Sequence, residues 1–162
     1  MSWFVCVAAA ACLQKLSKLL KRAWAFSIAF DSATVESTSY FDVRVWFSVG
    51  TTLHCFHVFC LPLFGRHTGD LMFDVFKEAM DAIRPQWEHS LLSTCSDGAR
   101  NMMGRVRDIV TRIAQRSADA GHKLICFWCG AHQLDLVIAR FVGKYCNASW
   151  YGTLTSLIGY LG

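Results

Sequence analysis

The chain has 162 residues, 54% of them hydrophobic and 17% charged, with a formal net charge of +4. This length suits one domain with a real core and is short for two. The composition is more apolar than that of a typical soluble domain, which points to a core that packs against something more, and the mild charge permits nucleic-acid binding without requiring it.

The segment MSWFVCVAAAACL opens the chain. A bilayer span needs about 20 apolar residues, so this stretch is too short to cross one. It is similar to a signal-peptide core, but its basic residues follow it, in QKLSKLLKR. The favoured reading is the apolar end of an amphipathic helix over residues 5–22, with Leu13, Leu16, Leu19 and Leu20 at helical spacing. WAFSIAF, residues 24–30, reads as a buried strand that ends at Asp31, and SATVESTS as the polar turn after it. Residues 40–49 alternate, with Phe41, Val43, Val45, Phe47 and Val49 on one face and Tyr40, Asp42, Arg44, Trp46 and Ser48 on the other. That pattern predicts a half-buried antiparallel strand. Gly50 marks a turn into a third strand, TTLHCFHVFCLPL, on which His54 and His57 face opposite sides.

FGRHTGD is a loop, and Asp70 is expected to cap a helix running to about Ile83, where Pro85 ends it. LLSTC reads as a fourth strand ending near Asp97. Ala99 to Arg116 is predicted as a helix, apolar through Met102, Met103, Val106, Ile109, Val110 and Ile113. Its other side carries Arg100, Arg105, Arg107, Arg112 and Arg116. HKLICFW is a fifth strand and Ala131 to about Val142 a helix, while the tail GKYCNASWYGTLTSLIGYLG has no clear period.

Of eight cysteines, Cys55, Cys60, Cys95 and Cys126 lie inside apolar strand-like runs, where a reduced thiol acts as a small hydrophobe. A reduced, intracellular chain is therefore expected over a disulfide-bonded one. The sequon Asn147-Ala148-Ser149 matters only in a secreted chain. Cys126-x-x-Cys129-x-x-His132 has three ligand types but no evident fourth, with His122 and Cys95 as candidates only if the sheet brings them near. Zinc is not expected.

Asp31 and Asp97 each stand where an apolar strand runs out into small polar residues. Two ionised carboxylates placed close together repel, and a divalent cation such as magnesium or manganese relieves the repulsion. Such a pair can serve phosphodiester chemistry. Each also has a local reading, as a cap for the SATVES turn and as part of an Asp-Gly turn.

The predicted order, β-β-β-α-β-α-β-α, gives an α/β chain with a mixed five-stranded sheet and helices on its faces. It is the order of the ribonuclease-H-like fold, in which the first and fourth strands are neighbours. The segments FSIAFDSATVEST, RHTGDLMFDVF, LLSTCSDGARNMMGRVRDIVTRIAQ and FWCGAHQLDLV resemble the catalytic core of hAT-superfamily transposases and their zinc-finger-BED relatives. The resemblance covers about residues 24–142. It matches Asp31 to the family's first aspartate, Thr94 to Gly104 to the segment holding the second, with Asp97 in place, and Cys129 and His132 to a Cys-x-x-His that opens a helix.

The resemblance implies Asp31 and Asp97 as catalytic, metal-binding residues for magnesium or manganese, with Cys129 and His132 structural at their junction. Arg100, Arg105, Arg107 and Arg112 are expected on DNA phosphates, in the nucleus and with no membrane partner. It also implies a division into an N-terminal helix (1–23), a ribonuclease-H-like core (24–142) and the start of a further helical region (143–162). The family's third acid is a glutamate on a late helix. Here Glu36, Glu78 and Glu88 all precede Asp97, and the later acids are Asp108, Asp119 and Asp135. A BED finger and a dimerisation region are also lacking from these residues. The expectation is a partial core of a DNA-cutting and strand-transferring enzyme, inactive alone. The alternatives are a non-enzymatic nucleic-acid- or protein-binding module that kept the fold and, third, a small secreted or membrane-associated protein.

Overall fold

Three apolar runs separated by very short turns leave the chain little choice but an antiparallel meander. The structure, a computed structural model, describes residues 3–63, 68–97, 108–145 and 148–161. In it β1 (Phe26–Val35), β2 (Thr38–Val49) and β3 (Thr52–Leu63) pair successively, and β4 (Leu91–Ser96) joins the free side of β1 in parallel. With β5 (Ile125–Trp128) the sheet has the order β3-β2-β1-β4-β5. Among the described residues five α-helices accompany it, making the chain mixed α/β: α1 (Trp3–Leu20), α2 (Gly69–Ile83), α3 (Ile109–Asp119), α4 (Gly130–Tyr145) and α5 (Ala148–Leu161).

One face of the sheet is the core. The alternation in β2 is borne out: Phe41, Val43, Val45 and Phe47 are at most 3% exposed, as are Phe26, Ile28 and Phe30 of β1. Against them pack Met72, Phe76 and Met80 of α2, Ile109 and Ile113 of α3, and Leu16 and Leu20 of α1. Apolar alternation in the strands and helical spacing in α2 thus converge on one buried layer.

Several expectations are corrected. Asp31 does not end its strand; it is followed by four more β1 residues, because Val35 pairs with Thr38 and only Glu36 and Ser37 form the turn. Thr68, not Asp70, caps α2, its hydroxyl accepting from the Leu71 N–H at 3.3 Å. The predicted helix over 99–116 does not run through residue 108. Asp108 is extended there (φ −89°, ψ 166°) and caps α3, accepting from the Thr111 N–H at 2.6 Å. A short carboxylate competes with the backbone for that N–H, which makes it a helix start rather than a helix interior. Residues 98–107 lie outside the described residues. Cys55, Cys60 and Cys126 are exposed rather than buried, and the seven described cysteines are free thiols. The aperiodic tail contains α5.

Glu36 adopts φ +56°, a left-handed conformation that a side chain disfavours. In a two-residue hairpin turn with positive φ at its first position, glycine is the preferred residue. Glu36→Gly is therefore expected to stabilise the fold by about 0.5 kcal/mol, the relief of strain exceeding the added unfolded-state entropy. Glu36→Val should destabilise it. A thermal melt that places the Val variant above the Gly variant would refute this account of the turn.

The chain forms two compact units, Met1–Phe127 and Trp128–Gly162. In the second, Phe141 and Tyr145 of α4 meet with ring centroids 5.1 Å apart, and Lys144 lies 5.0 Å from the centre of the Tyr145 ring.

Candidate functional site

The opposite face of the sheet is polar, and the pairing registers define its layout. Side chains alternate along a strand, so Phe26, Ile28 and Phe30 of β1 enter the core while Ser27, Ala29 and Asp31 face the other way. A register irregularity between Phe26 and Ser27 then sets Ser27 against Ser93 and Ala29 against Cys95 of β4. The Ser93 hydroxyl donates to that of Ser27 at 2.7 Å, as side chains on a shared face do. The β1–β4 pairing ends at Ala29 and Cys95, and Asp97 is the residue that follows β4.

Asp31 has an acidic neighbour. In the β1–β2 pair it stands directly opposite Asp42. Like charges facing each other across a strand pair are destabilising unless compensated. Asp42 is compensated: Arg44 Nε donates to its Oδ2 at 3.1 Å, and His57 Nε2 lies against its Oδ1. Asp31 is exposed, accepts from the neighbouring Ser32 N–H at 2.9 Å, and has no basic partner among the described residues. The face thus carries a neutralised carboxylate at Asp42 beside an exposed one at Asp31.

Asp42, Arg44 and His57 were not singled out for chemistry from the sequence. The alternation in β2 puts Asp42 and Arg44 on the polar face, but their relation to Asp31 follows only from the turn at Glu36-Ser37. At the far end of the same face, Trp24, Ser27, Trp46, Leu53 and Leu92 line a shallow hollow of about 200 Å³.

The other predicted residues are more dispersed. Of the four arginines expected on phosphates, Arg100, Arg105 and Arg107 lie outside the described residues. Arg112 is turned to α2, where it pairs with Asp70 and lies 5.9 Å from the centre of the Phe73 ring. Arg116 sits 3.9 Å from Glu88. His122 meets the Leu91 carbonyl at 3.0 Å through Nε2, so its ring serves the β4 backbone. Cys129 precedes α4 and its carbonyl accepts from the Gln133 N–H at 3.0 Å. The Gln133 amide in turn donates to the Trp128 carbonyl at 3.0 Å, which ties down the junction where His132 occupies the first turn. Among the described residues, no three His, Cys, Asp or Glu side chains converge as a metal-binding group.

The open face therefore presents the carboxylates of Asp31 and Asp42 on the paired strands β1 and β2, with Arg44 on β2 and His57 on β3 beside Asp42. Oxygen donors of this kind suit a hard divalent cation rather than zinc. A scan against protein-family models finds no match for this chain, and a search of curated proteins finds none either.

Proposed function

We propose that the chain is a ribonuclease-H-like core of the hAT transposase type, derived from an enzyme that cuts and joins DNA. The observation that supports this reading is the parallel pairing of β1 with β4, whose last paired residues, Ala29 and Cys95, lie two positions before Asp31 and Asp97. The sheet order β3-β2-β1-β4-β5 supports it as well. Asp31 and Asp97 would hold magnesium or manganese, which supplies charge stabilisation to a phosphodiester undergoing attack. The residues of the chain bind and orient: Asp31 and Asp97 set the position of the cation, and Arg44 keeps Asp42 neutralised beside it. Two carboxylates would leave most of the cation's positions to water and substrate phosphates, so the chain alone would hold it weakly. DNA is the proposed partner, through Arg100, Arg105 and Arg107, and the nucleus the proposed site of action.

The sequence holds no glutamate after Glu88. A second reading is a DNA-binding module without cutting activity. One experiment separates them. Supercoiled plasmid is incubated with the purified chain and manganese, and DNA binding is followed in parallel over a salt series. The catalytic reading expects slow nicking that drops to background in Asp31→Ala and in Asp97→Ala. The binding reading expects no nicking, but a salt dependence whose slope falls by about one for each arginine of Arg100, Arg105 and Arg107 neutralised. A chain that neither nicks nor binds DNA sinks both.

A further inference from the structure

The first part of α1, residues 3–13, reads WFVCVAAAACL and is apolar on every side of the helix. None of it is buried, and Trp3 and Phe4 are 83% and 79% exposed. Burial in α1 begins at Leu16 and Leu20, which join the core. Ser17 fixes the helix there by donating its hydroxyl to the Ile83 carbonyl at 2.6 Å. The helix is thus docked at one end and projects at the other.

A helix with one apolar stripe can be satisfied by a groove or a partner helix. A helix that is apolar all round needs an apolar medium on every side. At a rise of 1.5 Å per residue, residues 3–13 extend about 16 Å, close to one leaflet of a hydrocarbon core about 30 Å thick. Beyond this stretch Lys15 and Lys18 of the helix, and Lys21 and Arg22 just after its end, are all exposed, and the sequence holds no acidic residue before Asp31. That collar lies where lipid headgroups would be and complements anionic ones. The whole of α1 has the length and composition to cross a membrane. Crossing would pull Leu16 and Leu20 from the core, so the structure favours shallow insertion over spanning.

We propose that the projecting half of α1 inserts into one leaflet of a bilayer containing anionic phospholipid, with Lys15, Lys18, Lys21 and Arg22 on the headgroups and the sheet held at the membrane surface. This inference is independent of the DNA reading, since it uses no residue of the open sheet face.

Flotation of the full chain with vesicles tests it. Vesicles of phosphatidylcholine alone are compared with vesicles that also contain phosphatidylserine. The chain is expected to float with both, and more with the anionic ones. Phe4→Asp should abolish flotation with either. Lys15→Gln, Lys18→Gln and Lys21→Gln should each lower partition onto the anionic vesicles about fivefold and leave the neutral ones unchanged. All four positions are exposed, so an unchanged circular dichroism spectrum certifies the fold. Failure to float, flotation insensitive to Phe4→Asp, or a stable dimer that ignores vesicles would each overturn the proposal. So would recovery from cells of a chain already cleaved after the apolar half, which marks a leader instead.

Discussion

Trp87→Ala is expected to lower folding stability by about 3–5 kcal/mol, the range for removing a fully buried large aromatic. Trp87 is 1% exposed and ends a chain of rings that ties the sheet to α2. It meets Phe76 edge-on at 5.2 Å, Phe76 meets Phe30 at 5.2 Å, and Phe30 stacks on Phe41 at 5.8 Å. Its indole N–H also donates to Asp81 Oδ1 at 3.0 Å. Truncation opens a cavity and removes that donor together. Trp87→Phe keeps most of the volume and loses the hydrogen bond, so about 1–2 kcal/mol is expected, and urea unfolding of both variants measures the ladder.

The same pair carries a pH signature. Burial acts to raise the Asp81 carboxyl, but hydrogen bonds from Lys77 and Trp87, with the charges of Lys77 and Arg116, outweigh it and hold the pKa below its ordinary 3.8. A depressed carboxyl stabilises the folded state fully above the unfolded value, about 3.9 for an aspartate, and loses that contribution as pH falls through the folded one. Trp87→Phe removes one of the lowering causes. Its stability should therefore decline less between pH 4 and lower values, relative to its own maximum, than that of the parent chain. An acid limb identical in both would contradict this role for the indole.

Arg84→Ala is the second large effect, at about 2–4 kcal/mol. The Arg84 guanidinium binds the carbonyls of Leu20 and Ala23 through Nη1, the latter at 3.1 Å, and donates to the Ser90 hydroxyl at 2.7 Å through Nη2. It also lies 5.7 Å from the centre of the Phe26 ring. One side chain thus joins the end of α1, the start of β1 and the approach to β4. Burial of the guanidinium lowers its pKa, yet it stays charged at any working pH. Its removal leaves those acceptors in a part-buried place without donors. Arg84→Lys keeps the charge but has a single point donor, so it should recover less than half of the loss. The main-chain end of α2 is preserved in both, because the Arg84 N–H still donates to the Met80 carbonyl at 2.8 Å. A lysine variant as stable as the parent would show that charge, not the forked geometry, matters.

The legible parts of the fold share a physical cause. The alternation of Phe41, Val43, Val45 and Phe47 and the spacing of Phe73, Phe76 and Met80 are local patterns, and each encodes which side of one element is apolar. Pro85 likewise acts on its immediate neighbour and ends α2. Other features had no local code. The turn at Glu36-Ser37 lacks glycine or asparagine, so four strand residues after Asp31 looked like loop. Cys55 and Cys60 sit among apolar residues five positions apart, and the register shift between Val43 and Arg44 places both opposite open-face residues, Trp46 and Asp42. The arginine-rich segment suggested one helix running through residue 108, yet Asp108 caps the start of α3 by taking the Thr111 N–H. The run from Ala148 to Leu161 is apolar without a period, and it is a helix all the same.

By itself the sequence determined that the chain is mixed α/β, which faces of its strands and of α2 are apolar, and that Asp31 and Asp97 lie at the polar end of apolar runs. Only the tertiary structure decided that Asp31 faces Asp42, that Arg44 pairs with Asp42 while His57 lies against it, and that the first half of α1 projects unburied. Periodicity is a property of one segment, carried by its own backbone geometry. Which carboxylate stands beside which depends on register between strands, and register is set by turn length and by how both strands bury their apolar faces on the same core.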